Sequence, residues 1–229
     1  MREDGEGESV IGRIARPRSL TAIVVDQIRD LIITGRLGLG EQLSENTLAE
    51  QLGVSRTPVR EAFMRLENER LVEVRPQRGT FVFQYDATEL REICELREVL
   101  ETGALRIALA RDREALVRVL TAEVDAAEPA LALGPASYQP FDTAFHDALV
   151  RASNNRELVD AYLRISGRIR AVRFRLTVSG KAIAGSQSDH REIVDAMRAG
   201  KDGEAGAKLT KHVYNSYRFF LKTLGEEKG

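Results

Sequence analysis

Only one cysteine, Cys94, occurs in the 229 residues, so no internal disulfide is available and the chain suits a reducing compartment. Long apolar runs are missing too. Stretches such as Leu31-Ile32-Ile33 fall far short of the roughly 20 residues a membrane-spanning helix needs, which excludes a membrane protein. The opening segment, Met1 to Ser9, is acidic and glycine-rich and lacks the apolar centre of a signal peptide, so the expected location is cytoplasmic. Neither charge is in excess, the formal net charge being -1, and no lysine precedes Lys181. A DNA reader needs only a local basic cluster, so distribution decides rather than the sum. Arginine suits bidentate contacts, although a GC-rich genome produces the same bias.

What the chain does have is clear punctuation. Residues 1–17, ending at Pro17, read as a disordered tail. A helix is expected from Ser19 to Thr34, with Leu20, Val24, Ile28, Leu31 and Ile32 at helical spacing and Gly35 as its stop. Ser44 is placed to cap a second helix ending at Gly53, and a third starts at once from Ser55. The period then changes, and Leu71 to Arg75 and Thr80 to Gln84 read as strands of a hairpin around Pro76-Gln77-Arg78-Gly79. The fold class is therefore mainly α: a winged helix-turn-helix over 18–84, then an all-helical bundle over 85–229.

In the third helix Val59, Ala62, Phe63 and Leu66 form one apolar face, and Pro58 fits the first turn. Arg56, Thr57 and Arg60 lie off that face near the helix start, where side chains reach base edges in a major groove. Ser55 and the amides at that start are suited to a phosphate, and Arg78 at the hairpin tip to backbone or minor groove. The plainer reading is that the arginine pair merely solvates a helix face. The stretch LSENTLAEQLGVSRTPVREAFMRLENERLVEVRPQRGTFV, Leu43 to Val82, resembles the DNA-binding domain of the GntR superfamily of regulators, most specifically over Gly53 to Ala62. The resemblance implies that Arg56 and Arg60 read the bases of a short palindrome in a double-stranded operator, supported by Ser55 and Thr57. Two positions depart from the family pattern. Leu39-Gly40 stands where Pro-Gly is usual, and Arg70 stands where a glycine commonly precedes the wing, which predicts an unusual backbone angle there.

Beyond Tyr85 the strand pattern ends, and Asp86 with Glu89 forms a capping box. About six helices are expected, near 86–111, 112–128, 137–153, 155–178, 182–199 and 202–224, with Pro129 and Leu133-Gly134-Pro135 separating the second from the third. The chain's three histidines, His146, His190 and His212, all fall on apolar stripes of this region, and Asp142 lies one turn before His146. Each histidine taken alone reads as a hydrogen-bonded core residue. Together with Asp142 they form a suitable first shell for a divalent transition metal. Arg97 falls inside the apolar arc of Ile93, Leu96, Leu100 and Ala104 and needs an anion, either Glu101 one turn along or a bound carboxylate.

The segments LREICELREVLETGALRIALA, FDTAFHDALVRASNNREL, DHREIVDAMRAGK and AKLTKHVYNSY resemble the FCD domain of the FadR subfamily, and Asp142, His146, His190 and His212 match the ligand positions of its metal-containing members. That resemblance implies zinc, nickel or a similar ion, a small carboxylate effector contacting Arg97, and a homodimer on DNA. A count of six helices points to the VanR-like branch, and the histidine set argues against a fatty acyl effector. Two other functions compete: a metal-responsive regulator without an organic ligand, and a metal-dependent hydrolytic enzyme fused to a DNA module. No partnered general base is evident for the enzyme, so none is expected.

Overall fold

The computed structural model describes residues 18–177 and 179–226, so the tail expected at 1–17 lies outside the described residues. Helix α1 (Leu20–Ile33) starts where Ser19 Oγ accepts from the Ala22 amide at 3.1 Å. Helix α2 (Glu45–Leu52) is capped in the same way by Ser44 and closed by Gly53 at φ 64°. Helix α3 (Arg56–Asn68) follows, and its face of Val59, Ala62, Phe63 and Leu66 is at most 3 % exposed. Strands β2 (Val72–Arg75) and β3 (Gly79–Val82) form the expected hairpin. Its turn closes with the Arg78 amide donating to the Arg75 carbonyl at 3.0 Å. Pro76 supplies the fixed first angle, and Gln77 takes the left-handed position at φ 61°. A two-residue strand, β1 (Gln42–Leu43), pairs with the outer side of β3, giving the antiparallel order β1-β3-β2. It is too short for periodicity to reveal.

Arg70 does adopt the left-handed angle, φ 54°. The cause is the way α3 ends. The Leu71 amide donates to Leu66 O at 2.9 Å and the Arg70 amide to Glu67 O at 2.8 Å, the paired bonds of a Schellman motif whose pivot favours glycine.

The bundle begins at α4 (Ala87–Leu131), with the Asp86–Glu89 capping box formed. Asp112 leaves helical geometry, at φ -157° and ψ 89°, and its Oδ1 then accepts from the Ala115 amide at 2.8 Å. One residue thus breaks α4 and caps its second half, at the boundary expected from the sequence. Pro129 does not end that half. The helix runs on to Leu131 and stops before Gly134, at φ 93°, with Pro135 opening α5 (Pro135–Ala152). A proline so near the end forfeits a single bond, and two further residues stay helical. Helices α6 (Arg156–Leu176) and α7 (Gly180–Arg198) match expectation closely. The single helix expected at 202–224 is instead α8 (Asp202–Val213) and α9 (Asn215–Glu226), divided at Tyr214. The division adds a straight segment to the six expected, so helix number gives no ground for a VanR-like assignment.

Two large apolar cores result, with two smaller clusters beside them in the bundle, around Tyr162 and around Tyr138. One large core, around Ile28, Val59, Leu66 and Leu71, supports the reading head; the other, around Leu116, Leu120, Phe145 and Leu149, holds the bundle together. Ala171 of α6 belongs to the first core, and half-buried Tyr85 packs against both. Arg70→Gly should raise unfolding stability by about 1 kcal/mol, because glycine reaches φ > 0 without the Cβ clash. Urea unfolding of the two proteins checks it; a lower midpoint for the glycine variant would mean that the Arg70 side chain contributes more than its backbone costs.

Candidate metal centre and nucleic-acid interface

Ser55, Arg56, Thr57, Arg60 and Arg78 are all exposed, the first four gathered at the start of α3. Ser55 is the N-cap residue, yet its hydroxyl makes no capping bond, so the group is available at the positive end of the helix. Arg56 and Thr57 project from the first turn. Arg60 is differently placed: it grips Glu45 of α2 through both ends of its fork, at 3.0 and 2.8 Å. To reach a base it must share or release that carboxylate, an exchange of small cost at an exposed site. Arg78 sits at the wing turn, where its carbonyl accepts from Gln42 Nε2 at 3.0 Å. The turn is thereby tied to β1.

Inside the bundle, Asp142 and His146 from α5, His190 from α7 and His212 from α8 come together with ligand atoms within 4.8 Å of one another. All four residues are at most 6 % exposed. The three Nε2 atoms form a triangle with sides of 3.1 Å (His146–His212), 3.2 Å (His190–His212) and 3.4 Å (His146–His190). Protons cannot satisfy that triangle. Each Nε2 of a neutral ring is either a donor or an acceptor, so at least two of the three must be alike and face one another unfavourably. Carboxylates deepen the conflict. Glu101 Oε2 lies 2.7 Å from His146 Nδ1, and Asp189 Oδ2 lies 3.2 Å from His212 Nδ1 while accepting from Asn215 Nδ2 at 2.7 Å. Carboxylates accept only, so in neutral rings they draw the proton to Nδ1 and leave both Nε2 lone pairs aimed inward. Burial, followed by the charges of Arg97 and Arg173, pushes the His146 pKa well below its ordinary value. Burial, with His212 beside it, pushes His190 down to about 3. Phe145 stacks on the His190 ring at 3.9 Å between centroids and fixes its plane.

This donor set fits a transition ion. Ligand bonds of about 2.1 Å produce ligand–ligand separations of about 3.0 Å in an octahedral shell and about 3.4 Å in a tetrahedral one, the range the triangle spans. Asp142 adds the anionic donor, its Oδ1 at 3.7 Å from His190 Nε2 and accepting from Ser186 Oγ at 2.9 Å. Burial alone would raise the Asp142 pKa; Arg173 and the three histidines outweigh it and hold the carboxylate ionised, below its ordinary value.

Arg97 is buried as the sequence implies, and its carboxylate partner is Glu101, Nε to Oε1 at 2.5 Å. The internal partner weighed for it is therefore present. Its Nη2 also stands 2.9 Å from Nε2 and 3.2 Å from Nδ1 of His146. Nearly equal distances to both ring nitrogens put the guanidinium over the imidazole face, not in line with either lone pair.

Arg173 of α6 did not stand out from the sequence, although it interrupts a buried stripe of Ile165, Ile169, Val172 and Leu176 much as Arg97 interrupts its own. Its Nη1 is 2.5 Å from Asp142 Oδ2 without in-line geometry, and its Nε and Nη1, with that oxygen, lack hydrogen-bond partners. Buried polar atoms left this way are uncommon, and the two guanidinium donors suit a bound anion. Asp189 was also unforeseen, though it immediately precedes His190.

A cavity of about 520 Å³ opens from this centre, a size suited to a small molecule. Its floor is buried Arg97, Asp142, Arg173 and His212, and its wall includes Phe219, which the break at Tyr214 moves off the His212 helix and onto α9. Six cationic side chains line the cavity against two carboxylates, so it favours an anion.

Residues 20–82 match the bacterial regulatory proteins of the gntR family, and residues 92–215 match the FCD domain. Among curated proteins, the chain is 34 % identical to the "Probable D-xylose utilization operon transcriptional repressor" of Paenarthrobacter nicotinovorans, over 83 % of this chain and 85 % of that protein. It is 30 % identical to the Nta operon transcriptional regulator of Aminobacter aminovorans, over 81 % and 87 % of the two chains. The fold is similar to that of a GntR transcriptional regulator from Rhodococcus sp. RHA1, with a TM-score of 0.75 at 27 % identity, covering 88 % of this chain and 97 % of that one. These relatives are transcriptional regulators, not enzymes.

Arg173→Ala should destabilise chelator-treated protein by about 3–5 kcal/mol, because it leaves the Asp142 carboxylate buried without its partner. Denaturant unfolding measures the change. A loss under 1 kcal/mol would show that the histidines alone compensate Asp142.

Proposed function

The chain belongs to the gntR family of bacterial regulatory proteins and carries an FCD domain, and on that premise we propose that it is a repressor controlled by a small carboxylate held at a divalent metal in its helical bundle. DNA binding and transcriptional regulation come with the family. The metal, the effector and the sign of control are the added reading, and the triangle of imidazole nitrogens closed by Asp142 carries it.

In this reading Asp142, His146, His190 and His212 hold zinc or nickel, and Glu101 and Asp189 keep two of the rings in the ligating tautomer. The bound ion supplies a Lewis-acidic anchor for one end of an anionic effector. Arg173, with unused donors beside Asp142, and Arg97, lining the same cavity, orient the carboxylate. Both act as binding groups; neither moves a proton. On the DNA side Arg56 and Arg60 read bases, Ser55 and Thr57 support them at the phosphate, and Arg78 contacts the backbone beside the wing. A homodimer presents two such heads to a short palindrome, so operator affinity depends on their spacing. The division into a head over 18–84 and an effector domain over 85–229 follows, and the expected setting is the cytoplasm. No described helix is long and apolar enough to cross a membrane.

Metal analysis of gently purified protein tests the centre directly. A near-stoichiometric ion is expected, and His190→Ala should lose most of it while still binding DNA; unchanged stoichiometry removes His190 from the site. A thermal-shift panel of small carboxylates should then stabilise the loaded protein and leave the stripped protein unaffected. Stabilisation of both forms alike would separate the effector from the metal.

Arg56→Ala should cost about 1–3 kcal/mol in specific operator binding. Titrations against the operator and a scrambled duplex measure it, and a variant that still discriminates fully between them has not lost a base reader.

A further inference from the structure

Helix α6 serves both parts of the molecule. Ile165, Ile169, Val172 and Arg173 are buried on the bundle side. Gly167, Ala171 and Arg175, spaced i, i+4 and i+8, follow the side that meets the reading head. A Cβ on Gly167 would stand 2.8 Å from Leu71 Cδ1, so backbone packs directly against the residue that leads into β2. Ala171 is wholly buried within the head's own apolar core.

Arg175 makes the directional contact. Its Nη2 donates to the carbonyls of Ile32 at 2.8 Å and Leu37 at 3.3 Å, and its Nη1 to that of Ile33 at 3.3 Å. A further bond from Nη1 to the Ala171 carbonyl, 2.9 Å, braces the guanidinium against its own helix. The carbonyls at a helix C-terminus lack intrahelical partners and form the negative end of its dipole, and α1 has no basic residue in its last turn. The cation that completes α1 therefore comes from α6, more than 130 residues along the chain.

The other links are less directional. The connection over 83–86 joins the two parts covalently but has no regular structure. Tyr85 packs on Phe83 and Phe220, at 6.2 and 5.5 Å between ring centroids, through apolar faces that tolerate sliding. Arg170 and Asp30 are 4.0 Å apart at an exposed site, a pair of little strength.

We propose that Arg175 is the positioning residue of the DNA-reading head: its fork, closed on the end of α1, fixes the angle between head and bundle. This assignment is independent of any metal or effector. It gives Arg175 a role in DNA recognition without placing it near DNA.

The test uses the full chain with nitroxide labels at Glu50→Cys on α2 and Asp125→Cys on α4, in a Cys94→Ala background. Dilution with unlabelled protein confines the dipolar distances to pairs within one chain. The parent should show one narrow distance distribution. Arg175→Ala should at least double its width, and Arg175→Lys should fall between the two, since an ammonium keeps the charge but not the fork. An unchanged centre and width in Arg175→Ala overturns the proposal. Should that variant not fold, Arg175→Lys decides it: a broader distribution supports the clamp, and a parental one overturns it.

Discussion

Three buried imidazole nitrogens held 3.1–3.4 Å apart set the terms for the rest of the bundle. No distribution of protons satisfies them, so the polypeptide around them has to supply the rigidity that keeps them there. It does so with groups that would otherwise be costly to bury. Glu101 and Asp189 orient two rings, Phe145 clamps the third, and Arg173 compensates Asp142. Arg97 in turn neutralises Glu101 and covers the His146 ring. Removing one member of such a network exposes the others to an unpaired buried charge, which costs more than an ordinary core contact. A core designed only for stability would fill this space with leucine.

That arrangement also explains which features the sequence displays. Caps and turns are local, so Ser19, Ser44, Gly53 and the Asp86–Glu89 box are legible one residue at a time. The left-handed Arg70 is legible through the family resemblance, because a glycine commonly stands at that position. The break at Tyr214 carries no glycine or proline, and nothing in the segment Val213-Tyr214-Asn215 announces it. Pro129 misleads in the opposite direction, because a breaker near a helix end forfeits little. Strand β1 is too short to have a period at all.

The candidate site shows the same divide. Stripe positions assign the three histidines to the interior, and spacing pairs Asp142 with His146, but convergence of α5, α7 and α8 is a property of packing alone. An arginine inside an apolar arc is a usable signal, and it applies to Arg173 as fully as to Arg97. Arg97 proves to have its carboxylate within its own helix, while Arg173 is the cation left with unused donors. The cation with donors to spare is therefore on α6, where it interrupts the buried stripe of Ile165, Ile169, Val172 and Leu176. Arg60 is the matching case on the DNA side: its position is legible, its engagement with Glu45 is not.

Arg173 and Arg175 stand two residues apart, which on an α-helix places them on nearly opposite faces. One touches the Asp142 carboxylate in the bundle and the other the last carbonyls of α1 in the head. Between them lies hydrogen-bonded helix, which transmits displacement without absorbing it as a loop would. A ligand that engages Arg173 can act on the head only as far as it binds one position of α6 better than another, and such couplings are typically about 1–3 kcal/mol. In the proposed dimer, where two heads would have to meet two half-sites at once, a modest preference would suffice, because a small rotation of each would be added across the pair. By linkage such a coupling would be reciprocal: an operator that selects one head angle would select one position of α6, and with it the donors offered to the cavity.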